Sequence, residues 1–220
     1  MILTRPAAVL FDMDGLLLDT ERISRASMIE VSTAMGYPVT EAIFERLIGV
    51  PDDGNRATLT GIFGSGFDYD LMRTRQRALN DSRYGHARPL RPGARAITEA
   101  VAALGIPCAI ATSTGREKAT SFLTHTGLVG AFDHILTRDD VARGKPYPDL
   151  YLAAAAAFGF APAACLALED SYNGVRAAHA AGVPVIMIPD LLPETAEMRE
   201  LTLAVAPDLD TVRGWLLALS

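Results

Sequence analysis

Two carboxylates sit two residues apart at Asp12 and Asp14, directly after the apolar run Ala7 to Phe11 and directly before Gly15. A second acidic pair, Glu169 and Asp170, follows another apolar run, Cys165 to Leu168. Carboxylates gathered in a partly buried place repel one another unless a cation offsets them. Magnesium fits that need, since it takes carboxylate, carbonyl and water oxygens and commonly bridges to a substrate phosphate. A calcium loop of the EF-hand kind does not fit, because its glycine would fall two positions after Gly15 and its bidentate glutamate on Ile23. His86, His125, His134 and His179 are scattered along the chain, which argues against a histidine-rich zinc site.

Short apolar runs that end at a polar residue alternate with helical spacing, the pattern of strands joined by helical crossovers into a parallel sheet. The strand candidates are Ala7 to Phe11, Ile106 to Ala111, His134 to Leu136, Cys165 to Leu168, Pro184 to Ile188 and Leu203 to Val205. Helices are expected over Gly93 to Leu104, Arg116 to Thr126, Leu150 to Phe158 and Gly174 to Ala181. No buried strand is evident from Leu16 to Pro89, far more chain than one crossover needs. That stretch reads instead as a small helical insert with helices from Thr20 to Met35, Thr40 to Ile48 and Tyr69 to Leu79. The expected architecture is a doubly wound α/β core from residues 1–16 and 90–220, with a helical cap over 17–89. Gly15 to Asp19 and Ala87 to Gly93 serve as linkers. Ligands of such sheets gather at the carboxyl ends of the strands, which directs attention to Asp12, Asp14, Thr112, Ser113, Thr114, Glu169 and Asp170.

Composition narrows the function classes. The chain has 220 residues, is 50% hydrophobic and carries a formal charge of -6. That is enough apolar chain for a sizeable core, and too little positive charge for nucleic-acid binding. Arg73, Arg75, Arg77, Arg83, Arg88, Arg91 and Arg95 form a local basic cluster that reads as a solvated helix face. Cys108 and Cys165 lie inside apolar runs and are expected as buried thiols in a reducing compartment. With no apolar run approaching a membrane span, the expectation is a soluble cytoplasmic monomer. Gly144-Lys145 is not a Walker loop, because position 139 is Asp and Pro146 follows the lysine. Gly64-Ser65-Gly66 lacks the strand that a dinucleotide fingerprint needs.

Four short motifs now fall into order. They are Asp12-Met13-Asp14-Gly15, Ile110-Ala111-Thr112-Ser113, Gly144-Lys145-Pro146 with Pro148-Asp149, and Leu168-Glu169-Asp170-Ser171 with Asn173-Gly174. Together they resemble the haloacid dehalogenase-like hydrolases, in particular the subgroup of beta-phosphoglucomutase and small-sugar phosphatases. The resemblance covers nearly the whole chain. It implies that Asp12 attacks phosphorus to form an aspartyl phosphate and that Asp14 is the general acid and later the base. It further implies that Thr112 and the Ser113 N–H hold phosphoryl oxygens, that Lys145 bridges phosphate and Asp12, and that Asp12, Asp14, Asp170 and Glu169 serve the metal. Lys145 stands out because only Lys118 and Lys145 are lysines among the 20 basic residues.

Departures from relatives narrow the reaction. Family dehalogenases lack the second aspartate, which is present here as Asp14. Phosphonatases use a cap lysine, and no lysine precedes Lys118. Where the phosphomutases carry a cap histidine and arginine, this chain has Ser24 and Asp52, with Asn55, Arg56 and Arg75 as other cap residues that could meet substrate. The expectation is a magnesium-dependent phosphatase acting on a small phosphorylated metabolite, a sugar phosphate first. A phosphosugar mutase is the alternative within the family, and a non-catalytic phosphate-binding regulatory module the alternative outside enzymes.

Overall fold

The computed structural model describes residues 4–48, 50, 52–85 and 87–219, so His86 lies outside the described residues. Strand β1 (Ala8–Phe11) is buried on both sides, as a central parallel strand must be. Val9 and Phe11 face one core and Ala8 and Leu10 the other, following the two-residue alternation of a strand. Around it lie β2 (Cys108–Ala111), β3 (His134–Leu136), β4 (Cys165–Glu169), β5 (Val185–Met187) and β6 (Ala204–Val205), in the order β3-β2-β1-β4-β5-β6 with every pairing parallel. The order reverses between β1 and β4, so the crevice at their carboxyl ends is the expected ligand position.

Ten α-helices are present among the described residues. In the sheet-bearing unit they are α5 (Ala94–Ala103), α6 (Arg116–His125), α7 (Asp149–Ala157), α8 (Tyr172–Ala180), α9 (Ala196–Leu201) and α10 (Leu209–Leu217). Residues of α5, α6 and α10 pack on one face of the sheet, including Ile97, Val101, Phe122, Leu123, Val212 and Leu216. Residues of α7, α8 and α9 cover the other, among them Leu150, Tyr151, Ala154, Val175 and Met198. The insert contributes α1 (Thr20–Ala34), α2 (Glu41–Glu45), α3 (Asp52–Phe63) and α4 (Tyr69–Tyr84).

The chain divides into two compact units, Met1–Asp19 with Ala87–Ser220 and Thr20–His86. Within the first unit, the segments that leave for and return from the insert pair with each other. Leu18 bridges Leu90, the Arg91 N–H donates to the Leu17 carbonyl at 2.8 Å, and the Asp19 N–H donates to the Pro89 carbonyl at 2.9 Å. Arg91 then forms an ion pair with the buried Asp190, beyond β5, at 2.8 Å.

Three helices differ from the sequence reading. The stretch around Asp52 to Arg56, for which no helix was expected, is the start of α3, whose only buried residue is Leu59. With two glycines inside it and one buried side chain, α3 has no apolar stripe to announce it. Helices α9 and α10 were not expected either. Both begin at polar N-caps, where Thr195 accepts from the Met198 N–H and Asp208 from the Thr211 N–H. No helix of the described residues is long and apolar enough to cross a membrane.

Candidate active site

The end of β1 turns sharply to present Asp12 and Asp14. Asp12 continues the sheet, its N–H donating to the Leu168 carbonyl at 3.0 Å. Gly15 follows at φ 83°, a left-handed conformation that a side chain would oppose. The turn is fixed by N–H groups of Leu17 and Leu18 donating to the Met13 carbonyl, and by burial of Met13, Leu16, Leu17 and Leu18. Carboxylates are thus held in place by a buried apolar anchor.

Glu169 is the last residue of β4 rather than the first residue after it. It is in register with Met187 of β5, and its carbonyl accepts from the Ile188 N–H at 2.7 Å. Its side chain is completely buried. The Tyr151 hydroxyl donates to Oε1 at 2.7 Å and the Ser171 hydroxyl to Oε2 at 3.1 Å. Ser171 in turn caps α8, accepting from the Gly174 N–H. Lys145 reaches in from the loop before α7 and donates to both Asp12 Oδ1 and Glu169 Oε1. Its ammonium also lies 5.2 Å from the centre of the Tyr151 ring. The side chains of Lys145, Asp12 and Glu169 are only 5%, 8% and 0% exposed, so this is a desolvated charge cluster and not a surface ion pair.

Asp170 completes the cluster. Oxygens of Asp12, Glu169 and Asp170 all lie within 4.8 Å of one another. Three carboxyl groups gather around the Lys145 ammonium, an acidic excess that suits a divalent cation. Burial pushes the Asp12 carboxyl well above the usual carboxylate range; Glu169 and Asp14 add to that, while Lys145 opposes it. Burial pulls the Lys145 ammonium down, but Asp12 and Glu169 more than reverse this and hold it above its ordinary value. Burial likewise holds the Tyr151 phenol well above the usual range. An all-oxygen donor set with excess negative charge fits a hard divalent cation.

The Asp14 carboxylate is not part of that group. It accepts from the Thr114 hydroxyl at 2.6 Å and lies 3.3 Å from the Thr112 hydroxyl. Thr112 is completely buried, and its hydroxyl also accepts the Thr114 N–H at 3.0 Å, so its proton points toward Asp14. Ser113 is exposed beside them. Thr114 stood among the strand-end candidates in the sequence without a task of its own, and Tyr151 did not stand among them. The latter carried one signal, a phenol on the buried face of an alanine-rich helix.

Within the helical unit, Asp52 and Arg56 come together around Tyr69. The Tyr69 hydroxyl donates to Asp52 at 2.7 Å, and the Arg56 guanidinium lies 4.6 Å from the ring centre. Arg56 is itself committed to Asp70 through two hydrogen bonds of 2.8 and 2.6 Å. Asn55 donates to the Val50 carbonyl at 3.1 Å, and Arg75 is exposed on α4. Ser24 accepts, through its carbonyl, from the buried Gln76 at 2.9 Å.

Gly174 shows how tightly the cluster is built. A Cβ at this position would lie 1.9 Å from the Glu169 carboxyl carbon, and that carboxyl is tethered by Tyr151, Lys145 and Ser171. Gly174→Ala is therefore expected to displace Glu169 or α8, costing about 1–3 kcal/mol of stability and most of the activity. Thermal denaturation and steady-state turnover measure it; an Ala variant matching the parent in both would refute the packing described.

Comparison with known proteins agrees with this arrangement. The family model described as haloacid dehalogenase-like hydrolase matches residues 9–188. A probable pseudouridine-5'-phosphatase of Drosophila melanogaster is 32% identical, over 86% of this chain and 84% of its own length. A phosphorylated carbohydrates phosphatase of Thermotoga maritima is also 32% identical, over 80% and 82%. The crystal structure of a putative beta-phosphoglucomutase from Thermotoga maritima superposes with a TM-score of 0.81 at 28% identity, covering 97% of this chain and 99% of that one.

Proposed function

The chain belongs to the haloacid dehalogenase-like hydrolases, and from that we propose that it is a magnesium-dependent phosphatase of a small phosphorylated metabolite, with a sugar phosphate the first candidate. The observation that carries this reading is the buried cluster of Asp12, Glu169, Asp170 and Lys145 at the carboxyl ends of β1 and β4. Phosphatases of a phosphorylated carbohydrate and of a nucleoside monophosphate among the relatives support the substrate class.

In the proposed reaction an oxygen of Asp12 forms a bond to phosphorus as the bond to the leaving oxygen breaks. That oxygen keeps the electron pair and takes a proton from Asp14. Water then attacks the aspartyl phosphate, gives its proton back to Asp14, and releases phosphate and the Asp12 carboxylate. Lys145 stays bonded to Asp12 and Glu169, holding the nucleophile in one orientation. Ser113 and the start of α6 supply hydrogen-bond donors for phosphoryl oxygens, while the Thr112 hydroxyl is committed to Asp14. A magnesium ion held by Asp12, Glu169 and Asp170 would neutralise phosphoryl charge.

The phosphatase reading is favoured over the mutase because the cap positions hold Ser24 and Asp52, and because Arg56 is spent on Asp70. Turnover is expected to vanish with a chelator and to return on adding magnesium. A panel of phosphorylated metabolites that includes hexose 1-phosphates, scored separately for free phosphate and for isomerised product, tests the rest. Phosphate release is the expected result. Hexose 6-phosphate formed with little free phosphate would establish the mutase instead, and no turnover on any ester would establish a binding module.

A further inference from the structure

The Asp14 carboxylate is gripped from one side. Thr112 and Thr114 both direct their hydroxyls at the same oxygen, Oδ2, at 3.3 and 2.6 Å. The loop that carries them is itself held rigidly. The Thr112 N–H donates to the Leu136 carbonyl at 3.0 Å, and the Thr114 N–H to the Thr112 hydroxyl at 3.0 Å. Farther along, the Arg138 N–H donates to the Thr114 carbonyl, and the Arg116 N–H donates to Asp139 at 2.8 Å. Loops after β2 and β3 therefore lock together, and their combined effect on the site is the short Thr114 bond.

A general acid works only where its proton meets the leaving oxygen, and an error of about 1 Å can cost about 10²-fold in rate. A carboxyl pinned through one oxygen has its other oxygen fixed in direction as well. We propose that Thr114 is a positioning residue for phosphoryl transfer: by holding Asp14 Oδ2, with Thr112 in support, it turns Oδ1 toward the leaving group. The inference rests on the reading of Asp14 as the general acid, and it assigns Thr114 a task distinct from phosphate binding. Thr112 completes a closed circuit, accepting from the Thr114 backbone while donating to the carboxylate that Thr114 holds.

Leaving groups of different basicity separate this from a merely structural role. Nitrophenolate departs with little help, whereas an ordinary phenolate needs a proton. The test compares p-nitrophenyl phosphate with phenyl phosphate for the parent, Thr114→Val, Thr114→Ser and Asp14→Asn, all with magnesium present. Thr114→Val is expected to lower kcat on phenyl phosphate about 10- to 100-fold more than on p-nitrophenyl phosphate, with KM changed similarly little for both. Thr114→Ser, which keeps the hydroxyl, is expected to restore the parental ratio. Asp14→Asn should show the same selectivity, more strongly.

Equal losses on both esters in Thr114→Val, with selectivity intact in Asp14→Asn, would overturn the role of Thr114 and leave the acid assignment standing. Absence of selectivity in Asp14→Asn would overturn both. Should the valine variant fail to fold, judged by circular dichroism, Thr114→Ala and Thr114→Ser carry the comparison. A serine variant that is as selectively impaired as alanine would refute the hydroxyl's part.

Discussion

Asp12→Asn is expected to lower turnover by about 10⁴-fold or more while leaving the protein at least as stable as the parent in metal-free buffer. The loss follows from removing the oxygen that bonds phosphorus, since an amide is a far poorer nucleophile and forms no acyl phosphate. Stability should move the other way. Asp12 is buried and its carboxyl is held above the usual range. It thus contributes stability that is fully present below the ordinary carboxylate pKa and lost as pH rises through the raised folded value. At neutral pH, without metal, the burial that raises Asp12 is a cost that the neutral Asn removes. The Tm of the variant in chelator should therefore equal or exceed the parent's at pH 7, with the gap closing as pH falls. A variant that is inactive and also clearly less stable would assign the loss to misfolding.

Lys145→Met is expected to damage both properties. Among the described residues the ammonium is the one cation bonded to Asp12 and Glu169, and its removal leaves buried carboxylates facing one another. Breaking a buried pair in this way costs about 3–5 kcal/mol, a fall in Tm on the order of 10 °C for a chain of this size. Burial lowers the Lys145 pKa, but the two carboxylates raise it further, so its folded value is raised. Its contribution is fully present below the ordinary lysine pKa and lost only as pH rises beyond it. At pH 7 the whole effect should be visible. Because Asp12 protonates more readily once the lysine is gone, the deficit should shrink as pH falls from 8 toward 5. Arg is not expected to substitute, since a planar guanidinium does not fit a position only 5% exposed. Unchanged melting across that range would contradict the buried cluster.

Much of the site was legible in the chain because parallel strands buried on both faces read as apolar runs, and the residue that ends each run falls at the ligand-binding edge. Asp12, Asp14, Thr112, Glu169 and Asp170 all stand at such run ends in the sequence. Lys145 needed the family resemblance, since nothing in its spacing says that it enters the sheet's carboxyl end. Glu169 shows the limit of the reading: a carboxylate as the final strand residue breaks the apolar run, yet tertiary bonds from Tyr151, Lys145 and Ser171 hold it inside. Helix α3 was illegible because it buries a single side chain. The commitment of Arg56 to Asp70, fourteen residues away on another helix, is a pairing that only the fold creates.

A phosphoryl group carried by Asp12 can be trapped on it. Enzyme mixed with a turned-over phosphate ester and magnesium, quenched in acid during the first turnover, is digested and its peptides are mapped by mass spectrometry. The expected result is an acid-stable, base-labile phosphate on the peptide containing Asp12, forming and decaying fast enough to support kcat and absent from Asp12→Asn. Full catalytic turnover with no phosphate on that peptide, or with phosphate on another residue, would contradict it.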